Sequence, residues 1–157
     1  MILFDGRARP VIAHRGDRAH APENTLAAFH AAARAGADGF ECDVRLTADG
    51  AVVVLHDPRV DRTTDGTGDV TALSVEWIRT LNAGAHWHAH ADPDVANSPA
   101  GEDAARPFAA DGLRIPLLEE VLTTFPGMPV IIECKTLDVV APMAAVVRRV
   151  RAESRVL

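Results

Sequence analysis

The chain alternates strand-like apolar runs with helix-like segments, and this alternation limits its fold more than any other feature of the sequence. In chain order, the strand-like runs are residues 10–16, 40–46, 51–57 and 128–135, and the helix-like segments are residues 22–37, 118–125 and 143–150. Strands that alternate with helices favour a parallel sheet with right-handed crossover connections. We therefore predict an α/β fold built on a parallel sheet.

Two features interrupt the alternation. Residues 47–50 (TADG) separate two strand-like runs, and an Asp-Gly turn in that position predicts a hairpin. Residues 58–114 are rich in Gly, Asp, Thr, Ala and Pro and contain one short helix-like segment near residues 74–81. A stretch of that length without regular periodicity predicts an insertion over the body of the fold. We expect one domain over residues 1–157, with the insertion at about 58–114.

The composition argues against several classes of protein. With 157 residues, 48% of them hydrophobic, the chain can bury a sizeable core. A net charge of −6 argues against a nucleic-acid partner, and no apolar stretch is long enough for a stable membrane anchor. Two cysteines, Cys42 and Cys134, are too few for a disulfide framework, so we expect free thiols. These features predict a cytoplasmic enzyme or binding domain.

Two carboxylates lie one residue apart in the strand-like run FECDV. Side chains at alternate positions of a strand point to the same face, so Glu41 and Asp43 project together. Like charges on one apolar surface are unfavourable unless a cation lies between them, and a bound metal ion would meet that need. A solvated strand face is the alternative interpretation.

Other polar residues follow the neighbouring strands. His14 and Arg15 end the first strand, and Glu133 and Lys135 alternate near the end of the strand IIECK. Because function gathers at the carboxyl ends of parallel strands, these side chains are expected at one mouth with the carboxylate pair of the second strand.

The hairpin adds His56 to this set. If Leu46 pairs with Ala51, His56 lies opposite Glu41; if the turn contains only two residues, His56 lies opposite Asp43. The two registers differ by two residues, and a shift of two keeps every side chain on the same face of the hairpin. Either register therefore predicts His56 on the carboxylate face.

The residue types at this mouth indicate a particular chemistry. Carboxylate oxygens suit Mg²⁺ or Ca²⁺ better than zinc. Two histidines can exchange protons near neutral pH, and an arginine with a lysine favours an anionic group such as phosphate. Together they predict metal-assisted phosphoryl transfer. His86, His88 and His90 also alternate, but we interpret them as a solvated face rather than a zinc site.

Seven motifs resemble those of the glycerophosphodiester phosphodiesterases, in the same order and at similar spacing. They are HRG at 14–16, PENT at 22–25, E-x-D at 41–43, HD at 56–57, DRTTDGTG at 61–68, LEEVL at 118–122 and E-x-K at 133–135. The resemblance implies a TIM barrel with a small insertion. It also implies hydrolysis of a small glycerophosphodiester to an alcohol and glycerol 3-phosphate, with a divalent metal, Mg²⁺ or Ca²⁺.

The resemblance also implies a role for each residue at the mouth. The implied roles are metal ligation by Glu41, Asp43 and Glu133, acid–base catalysis by His14 and His56, and substrate binding by Arg15 and Lys135. Glu23 and Asn24 of the PENT motif are expected nearby, in support of these residues. A lyase that stops at a cyclic phosphate would use the same residues and is one alternative.

The length of the chain departs from the family pattern. A TIM barrel has eight strands and typically about 250 residues, whereas a fourth parallel strand is only starting at residues 155–157. We therefore expect the N-terminal half of a barrel. A non-catalytic fragment or binding module that keeps the motifs is the second alternative.

Overall fold

The structure is a computed structural model that describes residues 9–87, 108 and 112–157. In chain order its elements are β1 (Ile12–His14), α1 (Leu26–Arg34), β2 (Gly39–Leu46), β3 (Val52–Val54), a 3₁₀ helix (Val70–Ala72), α2 (Val75–Ile78), α3 (Leu118–Thr124), β4 (Val130–Cys134) and α4 (Val140–Arg149). The predicted alternation of strands and helices is confirmed. Residues 1–8, part of the predicted insertion, and His88 and His90 lie outside the described residues.

The sheet is centred on β2 and is mixed rather than wholly parallel. β1 and β4 both run parallel to β2, whereas β3 runs antiparallel to it. Val44 pairs with Val54 on one side and with Cys134 on the other, so β3 and β4 lie on opposite edges of β2. The predicted parallel pairing is confirmed for β1 and β4 but is wrong for β3, which the predicted hairpin makes antiparallel because a tight hairpin can join only antiparallel strands.

The hairpin between β2 and β3 has a three-residue loop. Leu46 pairs with Val52, and the Thr47 N–H donates a hydrogen bond to the Ala51 carbonyl at 3.0 Å. Gly50 closes the loop with a φ of 80°, in the left-handed region that glycine occupies without strain. A turn followed by a left-handed residue is a common three-residue hairpin connection.

This loop makes both predicted hairpin registers wrong. A loop of two or four residues would place His56 on the same face as the carboxylates. A loop with an odd number of residues shifts the register by one residue and reverses that facing. Leu55, not His56, accordingly lies beside Asp43, and its N–H donates to the Asp43 carbonyl at 2.9 Å. β3 ends at Val54, so strand alternation does not place His56.

The core on one side of the sheet is built around three phenylalanines. Phe29 of α1, Phe40 of β2 and Phe125 after α3 have ring centroids 5.1–6.3 Å apart. Cys42 is fully buried in the same core, facing away from its carboxylate neighbours as alternation predicts. Cys42 and Cys134 are both free thiols, as predicted.

The first helix is shorter than predicted because the first residues of the predicted segment, up to Thr25, are not helical. Thr25 caps α1, its Oγ1 accepting a hydrogen bond from the Ala28 N–H at 3.3 Å. Asn24 before it has a φ of 57°, which a helix excludes. Gly36 ends the helix with a φ of 85°, as the sequence predicts.

The last residues of the chain lie beside β4. Val156 forms a parallel bridge with Val130, whose N–H donates to the Arg155 carbonyl at 2.8 Å. This pairing agrees with the strand start predicted at residues 155–157. In the described part of the chain, no helix is long and apolar enough to cross a membrane.

Gly16 allows the loop after β1 to approach α1 closely. Its φ is 78°, and an added Cβ would lie 2.7 Å from the backbone carbon of Ala28. We expect Gly16→Ala to lower the free energy of unfolding by about 2–4 kcal/mol, because backbone strain and a steric clash add. Gly36→Ala has similar strain but nothing within 4 Å, so about 1–2 kcal/mol is expected. Urea unfolding followed by circular dichroism measures both, and equal losses would contradict the clash.

Candidate active site

Three carboxylates converge at the carboxyl ends of β2 and β4. Glu41 and Asp43 alternate on β2, and Asp43 is the direct cross-strand partner of Glu133 on β4. One oxygen from each residue lies within 4.8 Å of the others. His14, at the end of β1, is the cross-strand partner of Glu41. The structure thus brings the three carboxylates and His14 together, as strand alternation predicts.

Asp43 is the most deeply buried member of this cluster, with no exposed surface. Its Oδ2 accepts a hydrogen bond from Asn24 Nδ2 at 2.9 Å and lies 3.1 Å from Arg15 Nε. Its Oδ1 lies 2.8 Å from Lys135 Nζ. Burial alone would raise the pKa of Asp43, but Lys135, Asn24 and Arg15 together lower it. Asp43 is therefore ionised at neutral pH.

Glu41 lies in a less favourable electrostatic environment. Burial and the neighbouring charge of Asp43 raise the pKa of Glu41, against the opposing effects of His14 and Arg15. His14 Nε2 lies 3.8 Å from Glu41 Oε2, and the imidazole is 52% exposed. A cation placed between the carboxylates would remove the repulsion that raises this pKa.

The cluster fits a hard divalent cation. All three donors are carboxylate oxygens, the ligands that Mg²⁺ and Ca²⁺ prefer. Asp43 Oδ1 is buried and accepts no well-oriented hydrogen bond from the described residues, despite the nearby ammonium of Lys135. Lys135 gives this oxygen one positive partner, and an ionised carboxylate oxygen has a further lone pair for a second. These residues can therefore hold such an ion.

Arg15 is held in place by its backbone and its side chain. Its φ of 61° is unusual for a non-glycine residue, and its N–H lies 3.0 Å from the Glu41 carbonyl and 3.1 Å from Glu41 Oε2. The guanidinium contacts Asp43 through Nε and donates from Nη1 to Glu23 Oε1 at 3.2 Å. Nη2 makes no hydrogen bond with the described residues, so it is available to an anion.

Lys135 lies between two carboxylates. Its ammonium is 2.8 Å from Asp43 Oδ1 and 2.7 Å from Glu133 Oε1. Burial would lower the pKa of Lys135, but the two carboxylates raise it overall, so the ammonium stays charged at neutral pH. The structure thus gives Lys135 direct contacts through which it neutralises the carboxylate cluster.

His56 contacts residues other than those of the carboxylate cluster. Its Nδ1 lies 2.6 Å from Asp57 Oδ1, and its carbonyl accepts hydrogen bonds from Arg45 Nε and Nη2 at 2.9 and 2.7 Å. Arg62 links Asp57 to Glu23 through both carboxylates. Sequence reasoning missed Asp57 and Arg62 as site residues, although both lie in the motifs HD and DRTTDGTG.

Comparisons with known proteins identify the family of this chain. A model of the glycerophosphoryl diester phosphodiesterase family matches residues 14–155. A glycerophosphodiester phosphodiesterase of Caldanaerobacter subterraneus is 58% identical over 74 residues, which cover 47% of this chain and 30% of that protein. A glycerophosphodiester phosphodiesterase structure from Agrobacterium tumefaciens matches with a TM-score of 0.77 and 35% identity, covering 95% of this chain and 56% of that one.

A further similar structure is a complex with a small molecule. It is a phosphodiesterase of Oleispira antarctica in complex with the product sn-glycerol-3-phosphate, with a TM-score of 0.69 and 30% identity over 95% of this chain and 53% of that one. The chain thus spans 30% to 56% of the length of these three relatives. The predicted TIM-barrel type agrees with these neighbours, while the half-barrel extent stays a prediction. On the family match, the chain belongs to the glycerophosphoryl diester phosphodiesterase family.

Proposed function

We propose that the protein hydrolyses glycerophosphodiesters to an alcohol and glycerol 3-phosphate, with a divalent metal ion, Mg²⁺ or Ca²⁺. The observation that carries this proposal is the cluster of Glu41, Asp43 and Glu133 beside His14 and Arg15 at the strand ends. The product bound to the Oleispira antarctica relative supports the substrate class.

The three carboxylates would hold the metal. Glu41, Asp43 and Glu133 supply oxygen donors of the kind that such an ion needs. When bound, the ion supplies positive charge that stabilises the negative charge developing on the phosphate oxygens. Lys135, which contacts Asp43 and Glu133, would keep the cluster from carrying an excess of negative charge.

The chain's own side chains would bind the phosphate and move protons. Arg15 presents Nη2 to a phosphate oxygen while Glu23 and Asp43 hold the rest of its guanidinium. One of the two histidines, His14 or His56, would accept a proton from the attacking hydroxyl, and the other would donate a proton to the leaving alcohol. The attacking hydroxyl would belong either to water or to the glycerol of the substrate. Attack by the glycerol hydroxyl would form a cyclic phosphate, which water would then open.

The proposed domain organisation follows from the same family pattern. We propose a single partial barrel domain over residues 1–157, with an insertion at about 58–114. The short helix α2 (Val75–Ile78) and the 3₁₀ helix (Val70–Ala72) lie within the proposed insertion.

Release of glycerol 3-phosphate from glycerophosphocholine tests the proposal. We expect the folded chain to release glycerol 3-phosphate with Mg²⁺ or Ca²⁺. Release should stop when EDTA removes the metal, because the proposed reaction needs the positive charge that the ion supplies. Circular dichroism checks that the chain is folded in both conditions. A folded chain that binds metal without turnover would contradict catalysis by these 157 residues and favour a binding module. Accumulation of a cyclic phosphate alone would favour the lyase.

A further inference from the structure

Two contacts fix His56 from opposite ends. Arg45 holds its carbonyl through hydrogen bonds from Nε and Nη2 at 2.9 and 2.7 Å. On the ring side, Nδ1 lies 2.6 Å from Asp57 Oδ1, which is close enough for a charge-assisted hydrogen bond. The imidazole is 33% exposed, so solvent and substrate can still reach it.

Arg62 holds Asp57 in the position that this contact needs. Its Nε lies 2.5 Å from Asp57 Oδ2, and its Nη2 lies 3.3 Å from Oδ1. The opposite side of the guanidinium contacts Glu23, with Nη1 at 3.0 Å from Oε2 and Nη2 at 2.7 Å from Oε1. The planar arginine fork thus holds two carboxylates at once, which a lysine could not do with the same geometry.

Glu23 also links this group to the centre of the site. Its Oε1 accepts a hydrogen bond from Arg15 Nη1 at 3.2 Å, and Arg15 contacts the buried Asp43. Burial would raise the pKa of Glu23, but Arg62 and Arg15 lower it, so Glu23 remains an anion between two arginines. We call the three residues Glu23, Arg62 and Asp57 the carboxylate–arginine bridge.

The charge on Asp57 decides which nitrogen of His56 carries the proton. The hydrogen bond from Arg62, assisted by His56 and opposed by burial, lowers the pKa of Asp57 to about 2. At neutral pH the carboxylate is ionised and can only accept hydrogen bonds. The short contact with Nδ1 therefore requires a proton on Nδ1, which leaves Nε2 of the neutral ring as a hydrogen-bond acceptor.

We propose that the carboxylate–arginine bridge positions His56 for proton transfer, with Asp57 fixing the Nδ1–H tautomer and Arg62 fixing Asp57. The inference rests on the proposed function, in which His56 is one of the two histidines that move protons. When Nε2 accepts a proton from the attacking hydroxyl, the ring becomes an imidazolium that the Asp57 carboxylate stabilises. Asp57 and Arg62 are positioning residues, since both act through His56.

The tautomer of His56 can be measured without any turnover. Nitrogen-15 NMR of the imidazole rings in the 157-residue chain identifies the protonated nitrogen, and His56→Gln assigns the signal. We expect the Nδ1–H form in the unmodified chain, in excess by about tenfold over Nε2–H, because the acceptor is charged. A predominant Nε2–H form would overturn the proposal, whatever the variants do.

Three variants separate the parts of the bridge. Asp57→Ala should remove the excess of the Nδ1–H form, and Arg62→Ala should reduce it because Asp57 loses its support. Arg62→Lys should restore part of the excess. Arg59→Ala is the matched control: Arg59 lies in the same loop and pairs with Asp61, away from His56. An Nδ1–H excess unchanged in Asp57→Ala would overturn the role of Asp57, and one unchanged in Arg62→Ala would overturn that of Arg62.

This experiment distinguishes failure of the inference from failure of the proposed function. The tautomer depends on Asp57 and Arg62 in a folded chain, whereas glycerol 3-phosphate release depends on the metal and the whole site. An Nδ1–H ring in a chain without turnover would support the bridge and count against the proposed activity. Turnover by a chain whose His56 ring is in the Nε2–H form would support the proposed activity and contradict the bridge.

Discussion

The Asp43→Asn variant is expected to lose divalent metal binding and much of its stability together. Asp43 is a proposed metal ligand and is also the buried anion that contacts Arg15, Lys135 and Asn24. Removing a charged ligand should weaken metal affinity by at least about a hundredfold, because supporting residues alone are worth about ten- to a hundredfold. Calorimetric titration with Ca²⁺ and with Mg²⁺ measures this loss.

The stability loss has a separate cause. Without the Asp43 charge, two largely buried cations lose their common partner, which typically costs about 3–5 kcal/mol in the free energy of unfolding. Urea unfolding in EDTA measures this cost with no metal bound. Glu153→Gln makes the same change of charge at an exposed carboxylate outside the cluster and should leave both quantities nearly unchanged. Unaltered metal affinity in Asp43→Asn would exclude Asp43 as a ligand.

The His14→Ala variant is expected to lose turnover while keeping its fold. General acid–base catalysis by a positioned histidine typically contributes about 10²–10⁴-fold to the rate. The imidazole of His14 is half exposed and makes only the 3.8 Å contact with Glu41 among the described residues, so the free energy of unfolding should change by less than about 0.5 kcal/mol. Glycerol 3-phosphate release in saturating metal measures the first effect and urea unfolding the second.

His20→Ala is the control for this prediction. His20 is also an exposed histidine of the β1–α1 loop, but its Nδ1 pairs with Asp17 away from the carboxylate cluster. Its turnover should match that of the unmodified chain. Turnover in His14→Ala within a factor of about three of the unmodified chain would contradict acid–base catalysis by His14, given the effect expected of such a group.

Strand alternation by itself determined much of the carboxylate cluster. The period of two along a strand is a property of the backbone, so Glu41 with Asp43 and Glu133 with Lys135 had to share faces once their segments became strands. The parallel order of β1, β2 and β4 then brings these faces to one edge. The buried position of Cys42, between the two carboxylates of β2, follows from the same alternation.

His56 illustrates where this reasoning fails. Its predicted facing depended on an even hairpin loop, but Gly50 adopts a left-handed conformation and closes a loop of three residues. One residue of difference reverses the faces of the following strand. An Asp-Gly sequence is compatible with both loop lengths, so the local sequence does not decide between them.

What only the tertiary structure decided are the contacts between loops that are distant in the chain. Glu23 and Arg62 are 39 residues apart, and no periodicity relates the PENT motif to the DRTTDGTG motif. Their pairing depends on where the folded sheet places the two loops, and it in turn holds Asp57 against His56. The sequence by itself therefore determined which residue types meet at the strand ends, because backbone geometry is local. The folded chain decided how those residues are oriented, because orientation depends on loop lengths and long-range ion pairs.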